Sequence, residues 1–338
     1  QGNYHNPLDC GFPNGTLSGH IQIPIENVIG GEKNIGEGWK MLMECLAAGR
    51  GISLPATAQA SSKVSALLAY HYAKHRIQFK LPLLEMEAIQ NKVCNIFIKT
   101  NAIQSSIYVT NKILDQGHKP SVISAVMKER TTELAREILN DAMDIHAGGA
   151  ICKGPNNILE KFYKSAPIGI TVEGSNTLTK NLIIFGQGLN KSHPYISDIL
   201  ISIQNNDINS FNKLMKSATK NALYLYFSSL YHYLFQYNNN LLEVQTMYFA
   251  CLSNFIALQG GKIKQLQSLS ADMAHIFSNL YIAHCVQIYQ NEHQISQTLC
   301  DLTIRNLLIE NQSKINNIFS YIWYCKLLLP FMKKNYTI

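Results

Sequence analysis

The chain has 338 residues, enough for two domains that each bury a core, which excludes a small disulfide-stapled scaffold. Hydrophobic residues make up 46% and charged ones only 15%, below the roughly 25% typical of soluble domains, so Asn, Gln, Ser and Tyr must do much of the solvating. The net charge of +7 comes from scattered lysines with no Lys/Arg stripe between aromatics; that argues against nucleic-acid binding and equally well suits a CoA-type phosphate ligand.

In chain order, Pro13-Asn14-Gly15 is a turn signal, and the alternation Ile21, Ile23, Ile25 predicts one or two short strands. From Gly38 the pattern changes: Trp39, Leu42, Met43 and Leu46 mark one face of a helix. A second helix is predicted from Pro55 to Arg76, Pro being welcome in a first turn. A third spans residues 88–117, with Ile89, Val93, Ile96, Phe97, Ile103 and Ile107 near helical spacing and Gly117 as a stop. A fourth begins at Pro120-Ser121 and runs to Gly148-Gly149. Long helices joined by short turns predict an antiparallel bundle.

A shorter helix is expected after Glu173, ending in FGQG, with His193-Pro194-Tyr195 as a linker. Beyond it the chain is rich in Asn, Gln, Tyr and Leu at helical spacing. Its last stretch, INNIFSYIWYCKLLLPFMKK, predicts a core or interface helix, with a membrane-surface helix over Ile315 to Ile338 as the alternative. The eight cysteines occur singly, without a C-x-x-C pair, and read as reduced, mostly buried thiols of an intracellular protein. No signal peptide or run of about 18 apolar residues is visible. The first residue, Gln1, reads as the internal start of a longer sequence.

Four places could carry chemistry. Glu173 stands between β-branched residues and Gly174, which lets the chain turn sharply. Partial desolvation there would raise its pKa toward the range of a general base, while the plainer reading is an acid complementing a helix dipole. Arg76 at a turn with Phe79 three residues on suits a phosphate beside a stacked ring; a solvated arginine at a helix end is the alternative. His71 and His75 have the i, i+4 spacing of metal ligands, but no third ligand is evident and no metal is expected. Gly148 and Gly149 in DIHAGGAICKG offer bare backbone to a ligand, or a helix C-cap.

Taken in order, IPIENVIGGEKNIGEGWKMLMECLAAGRGISLPA, AKHRIQFKLPL, DAMDIHAGGAICKG and ITVEGSNTLTKNLIIFGQG resemble the C-terminal half of the acyl-CoA dehydrogenase family. Within it the chain is most similar to the bacterial long-chain type with an extra C-terminal helical domain. The resemblance implies a mainly α fold: the tail of a middle β-domain over 1–35, a four-helix up-down bundle over 36–192, and an additional helical domain over 193–338.

It also implies FAD-dependent α,β-dehydrogenation of a medium- to long-chain fatty acyl-CoA to the trans-2-enoyl-CoA in β-oxidation. Glu173 matches the family's α-proton base. Arg76 and Phe79 match contacts to the FAD pyrophosphate and adenine, commonly made across a dimer interface, with Lys80 replacing the usual Gly and Glu87 a common Gln. Asp144, Gly148 and Gly149 fall on the adenine-end motif, Asp144 replacing a Gln; Ser175 and Thr177 match cofactor contacts; Arg50 and Gly174 match the substrate side. The implied partners are a second copy of the chain and electron-transfer flavoprotein. The implied location is the cytoplasm, with contact to the inner face of the membrane as an added expectation. Because most of the β-domain and an N-terminal helical domain have no counterpart here, the chain reads as N-terminally truncated. The alternative is a non-catalytic helical remnant or interaction module without flavin.

Overall fold

The computed structural model describes residues 4–11, 14–38, 41, 49–188, 193–235, 240–329 and 332. The fold is mainly helical and divides by internal contacts into two units: Gln1–Ile103 with Thr110–Ser175, and Gln104–Val109 with Asn176–Ile338.

In the first unit, helix α1 (Ser53–His75) opens with Pro55 in its first turn, as predicted. Its buried face is built from small residues, Ala58, Ser62, Ser65, Ala66, Ala69 and Ala73, so α1 can lie close against helix α3 (Ser121–His146). The buried hydroxyls of Ser61 and Ser62 donate to the carbonyl of Ala58 at 3.0 and 2.7 Å, which removes the cost of placing them there. Helix α2 (Glu87–Asp115) starts on an acid that complements its dipole and stops at Gly117, whose φ of +83° suits only glycine well. Ion pairs from Lys92 and Lys99 of α2 reach Asp141, Asp144 and Glu137 of α3.

Between α1 and α2 a hairpin pairs β1 (Ile77–Gln78) with β2 (Leu81–Pro82), Ile77 opposite Pro82. Its two turn residues, Phe79 and Lys80, have φ of +52° and +71°, the geometry of a type I′ turn made without glycine. Left-handed backbone costs a residue with a Cβ about 1–2 kcal/mol, and a glycine loses somewhat less in extra unfolded-state entropy. Lys80→Gly is therefore expected to raise stability by about 0.5–1 kcal/mol in urea titrations. A lower stability would show that the lysine side chain contributes more than the turn costs.

Helix α4 (Leu159–Thr171) lies where no helix bounds were predicted. Asn157 makes its start: its Oδ1 accepts from Glu160 N at 3.1 Å while its Nδ2 donates to the carbonyls of Ala150 and Cys152. Pro167 sits inside this helix, which packs on α3.

The strands expected over Ile21, Ile23 and Ile25 are absent. These side chains are exposed, and Ile25–Asn27 is a single helical turn. A strand needs a neighbour for its N–H and C=O groups, and among the described residues none pairs with this stretch. Trp39, Leu42, Met43 and Leu46, which mark the first predicted helix, lie outside the described residues, as does Pro13.

In the second unit the chain after Glu173 does form a helix, but not an ordinary one. After one turn at Asn176–Leu178 it is wound as a π-helix over Thr179–Gln187. Ile184 and Phe185 are buried, and Gly186 lies where a Cβ would be 3.4 Å from Ser270 Oγ. Helices α5 (Ile196–Gln204), α6 (Ile208–Phe235), α7 (Leu241–Ala257), α8 (Gln267–Glu292), α9 (Gln297–Tyr321) and α10 (Trp323–Leu328) follow.

Several amides expected to solvate this unit are instead inside it. Asn311 donates to Gln245 at 3.2 Å, and Gln245 to the carbonyl of Leu308 at 3.0 Å, tying α9 to α7 through buried groups. The C-terminal stretch packs as core through Ile315, Ile318, Phe319, Ile322 and Cys325. Among the described residues no helix is long and apolar enough to cross a membrane. Burial pushes the thiols of Cys251 and Cys285 up to about 12, which keeps them protonated and unreactive.

Candidate active site

Two groups of the expected site residues sit at different places on the first unit. The first surrounds Glu173. Helix α4 ends at Thr171, and Val172 N donates back to Ile168 O at 3.1 Å. The chain then turns through Glu173 at φ +56° and Gly174 at φ +93°. A glutamate with positive φ is uncommon and costs free energy, and such positions concentrate where a side chain has been aimed for a purpose. The Glu173 Oε2 atom is buried and accepts no hydrogen bond. That is an expensive place for a carboxylate oxygen unless a ligand meets it.

Arg50, whose side chain is buried with its Nε unpaired, and Lys128 of α3 complete this group. Lys128 is fully buried, and its Nζ donates to Gly174 O at 2.6 Å and to Ile170 O at 3.3 Å. Burial and the charge of Arg50 push its ammonium down to about 8, while the carboxylates of Glu173, Glu129 and Glu133 oppose that shift. Sequence reasoning missed Lys128 because KER inside a helix reads as a solvated charge run. Only the burial of Lys128, Glu129 and Arg130 together sets it apart.

The depressed ammonium has a consequence for stability. Folded, Lys128 releases its proton near pH 8; unfolded, near 10.5. Between these values the unfolded chain binds more protons, so stability rises with pH across that window, and the penalty is present in full below it. Relative to Lys128→Met, the wild type is expected to gain roughly 3 kcal/mol between about pH 7.5 and 10.5 in urea titrations. A difference that stays flat would contradict this.

The second group gathers at the other end of α3. Tyr72 of α1 stacks on His146 with ring centroids 4.3 Å apart, and its hydroxyl lies 3.8 Å from where a Cβ on Gly149 would be. One turn further along α1, Arg76 leads into the hairpin, and Phe79 at its tip is 85% exposed. His146 donates from Nδ1 to Ala142 O at 2.8 Å, and burial lowers its pKa. The helix ends on Ala147, not on a glycine: Ala147 takes the positive φ, +48°. Gly148 and Gly149 are therefore not needed as a C-cap. No backbone angle demands them; nothing lies within 4 Å of a Cβ on Gly148, and the Tyr72 hydroxyl meets one on Gly149, so Gly148 alone faces open space. Asp144 is engaged: its Oδ2 accepts from Lys92 at 2.8 Å, and Asp141 binds the same ammonium, whose pKa is raised by the two carboxylates.

The sixteen steps along the helix from Lys128 to Asp144 span roughly 24 Å, so the Glu173 turn and the Arg76 end are separate surfaces. Arg50 and Glu173 both act on the charge of Lys128, which also holds Gly174, whereas Gly149 lies beside Tyr72, one helical turn before Arg76. Ser175 follows the first group directly, whereas Thr177 is exposed in the second unit.

Residues 36–186 match the acyl-CoA dehydrogenase C-terminal domain, and residues 190–320 match the bacterial type of acyl-CoA dehydrogenase C-terminal domain. The chain belongs to the acyl-CoA dehydrogenase family. The family domains meet at 186–190, while the π-helix just before that point packs with the second unit.

Among relatives in this family, the 3-(aryl)acrylate reductase of Clostridium sporogenes is 31% identical over 164 residues, 48% of this chain and 42% of that protein. The acryloyl-CoA reductase (NADH) of Anaerotignum propionicum is 30% identical over 163 residues, 48% of this chain and 40% of that protein. The chain thus spans about two fifths of the length of these relatives. The crystal structure of an acyl-CoA dehydrogenase complexed with FAD from Bacillus anthracis aligns with 86% of this chain and 52% of that one. Its TM-score is 0.63 at 16% identity, a likeness of fold.

Proposed function

We propose that the whole protein carrying this chain is an FAD-dependent acyl-CoA dehydrogenase in which Glu173 removes the α-proton of a fatty acyl-CoA. The observation that supports it most is the buried, unpartnered Oε2 of Glu173, held on a strained turn. An oxygen with no hydrogen bond to give up is a ready proton acceptor, and water excluded by the ligand leaves it no competitor. The backbone N–H of Glu173, past the last turn of α4, is offered to the thioester carbonyl and stabilises the enolate-like charge as the proton leaves. Arg50 adds a buried positive charge on the same side.

FAD, when bound, supplies the acceptor for the hydride that leaves Cβ. The residues present fit it in part. Arg76 offers a planar fork of donors for a pyrophosphate, the exposed Phe79 ring a face for stacking, and Gly148 and Gly149 bare backbone. Ser175 and Thr177 retain hydroxyl donors. Asp144 does not fit as a donor; at its place the Lys92 ammonium is the group that can give hydrogen bonds. The distance between the two surfaces favours a homo-oligomer, in which one copy's hairpin serves another copy's Glu173.

The substrate is read as a medium- to long-chain acyl-CoA of β-oxidation, with an electron-transfer flavoprotein receiving the electrons. The reading is tested by mixing the FAD-loaded protein with saturated acyl-CoAs of graded length and following flavin bleaching and 2-enoyl-CoA. Bleaching by the wild type and none by Glu173→Gln is the expected result. A folded protein that stays colourless after incubation with FAD would favour the non-catalytic helical module.

A further inference from the structure

Lys128 has no part in the chemistry above, yet it is the most completely buried charge beside it. An ammonium is costly to bury unless its donors are used, and a methionine would fill the same space without that cost. Its Nζ donates to Ile170 O and Gly174 O, 3.3 and 2.6 Å away. These two carbonyls bracket the base. Ile170 belongs to the last turn of α4, whose carbonyls lack intrahelical donors, and Gly174 directly follows Glu173. Between them lie two consecutive residues of left-handed φ, Glu173 and Gly174. Helical hydrogen bonding cannot maintain such a pair, so a tie from another element is what gives the Glu173 side chain one direction. Lys128 comes from α3, whose surroundings at Met127 and Thr131 are fully buried, so its anchor is rigid.

We propose that Lys128 is a positioning residue for Glu173: by holding the carbonyls of Ile170 and Gly174 on one ammonium, it sets the turn that aims the carboxylate at the α-proton. The role rests on the assignment of Glu173 as base. It is distinct from charge balance, in which Arg50, Glu173, Glu129 and Glu133 act on Lys128 through its charge alone, because the two bonds to the turn are made by the Nζ donors.

The test compares Lys128→Met and Lys128→Arg with Glu173→Gln in the FAD-loaded whole protein. Lys128→Met is expected to keep its flavin and its KM while kcat falls by about 10- to 100-fold, the usual cost of a reacting group displaced by about 1 Å. Lys128→Arg, which restores a cation with several donors, is expected to recover part of that loss. Amide hydrogen exchange should quicken at residues 172–175 in Lys128→Met while Ile138 and Leu139 in α3 keep their protection. Wild-type kcat in Lys128→Met beside an inactive Glu173→Gln would overturn the positioning role and leave the base in place. An active Glu173→Gln would overturn the base and this proposal with it. Loss of protection throughout α3 in Lys128→Met would assign the lysine to folding and overturn the proposal.

Discussion

Glu173→Gln is expected to lower dehydrogenation by about 10²- to 10⁴-fold, the range that a positioned general base supplies. Glutamine keeps the length and the planar end of the side chain, so the turn and the thioester contact through the backbone N–H survive; only the proton acceptor is gone. The variant should therefore bind FAD and acyl-CoA as the wild type does, and it should fold. It should also leave Lys128 without one of the carboxylates that hold its pKa up, so the ammonium should titrate lower than in the wild type. Equal losses in turnover and in flavin binding would mean that Glu173 supports the structure and not the reaction.

The second large effect is expected at Gly174. Its φ of +93° lies outside what a β-branched residue tolerates. Gly174→Val should cost roughly 3 kcal/mol if the turn is kept, and lower the melting temperature by about 5–10 °C. If the turn relaxes instead, the cost in stability shrinks and Glu173 swings away from its direction, so turnover falls further. Thermal melts and kcat measured on the same preparation separate the two routes. A variant with both unchanged would contradict the account of this turn.

The helices were legible where punctuation was strong. Pro55, Pro120-Ser121 and Gly117 fixed the bounds of α1, α3 and α2 because each acts through a local steric rule that the rest of the fold does not override. Helix α4 escaped notice because Pro167 reads as a breaker, although packing on α3 keeps the helix continuous through it. The alternation at Ile21, Ile23 and Ile25 misled for the opposite reason: period two describes a strand only when a sheet is present to receive it. The π-winding of Thr179–Gln187 has no signature in its residue types.

At the site, the identity of Glu173 and Arg76 was readable from motif order, and the sharp turn was readable from Gly174. The strain was not. Phe79, Lys80, Ala147 and Glu173 all take positive φ without being glycine, and no residue type announces that. At one of these places the glycine stands beside the left-handed residue instead of at it, Gly148 next to Ala147; at another, Gly174 shares the left-handed turn with Glu173. Lys128 was hidden because its meaning lies in two backbone carbonyls more than forty positions away.

The central claim is that Glu173 takes the α-proton, and it can be measured without waiting for full turnover. An acyl-CoA deuterated at Cα is incubated anaerobically with the FAD-loaded whole protein, and deuterium appearing in water is followed. Rapid release by the wild type, with release from Glu173→Gln slowed by about 10²-fold or more, is the predicted result. Release at the wild-type rate from Glu173→Gln would contradict it.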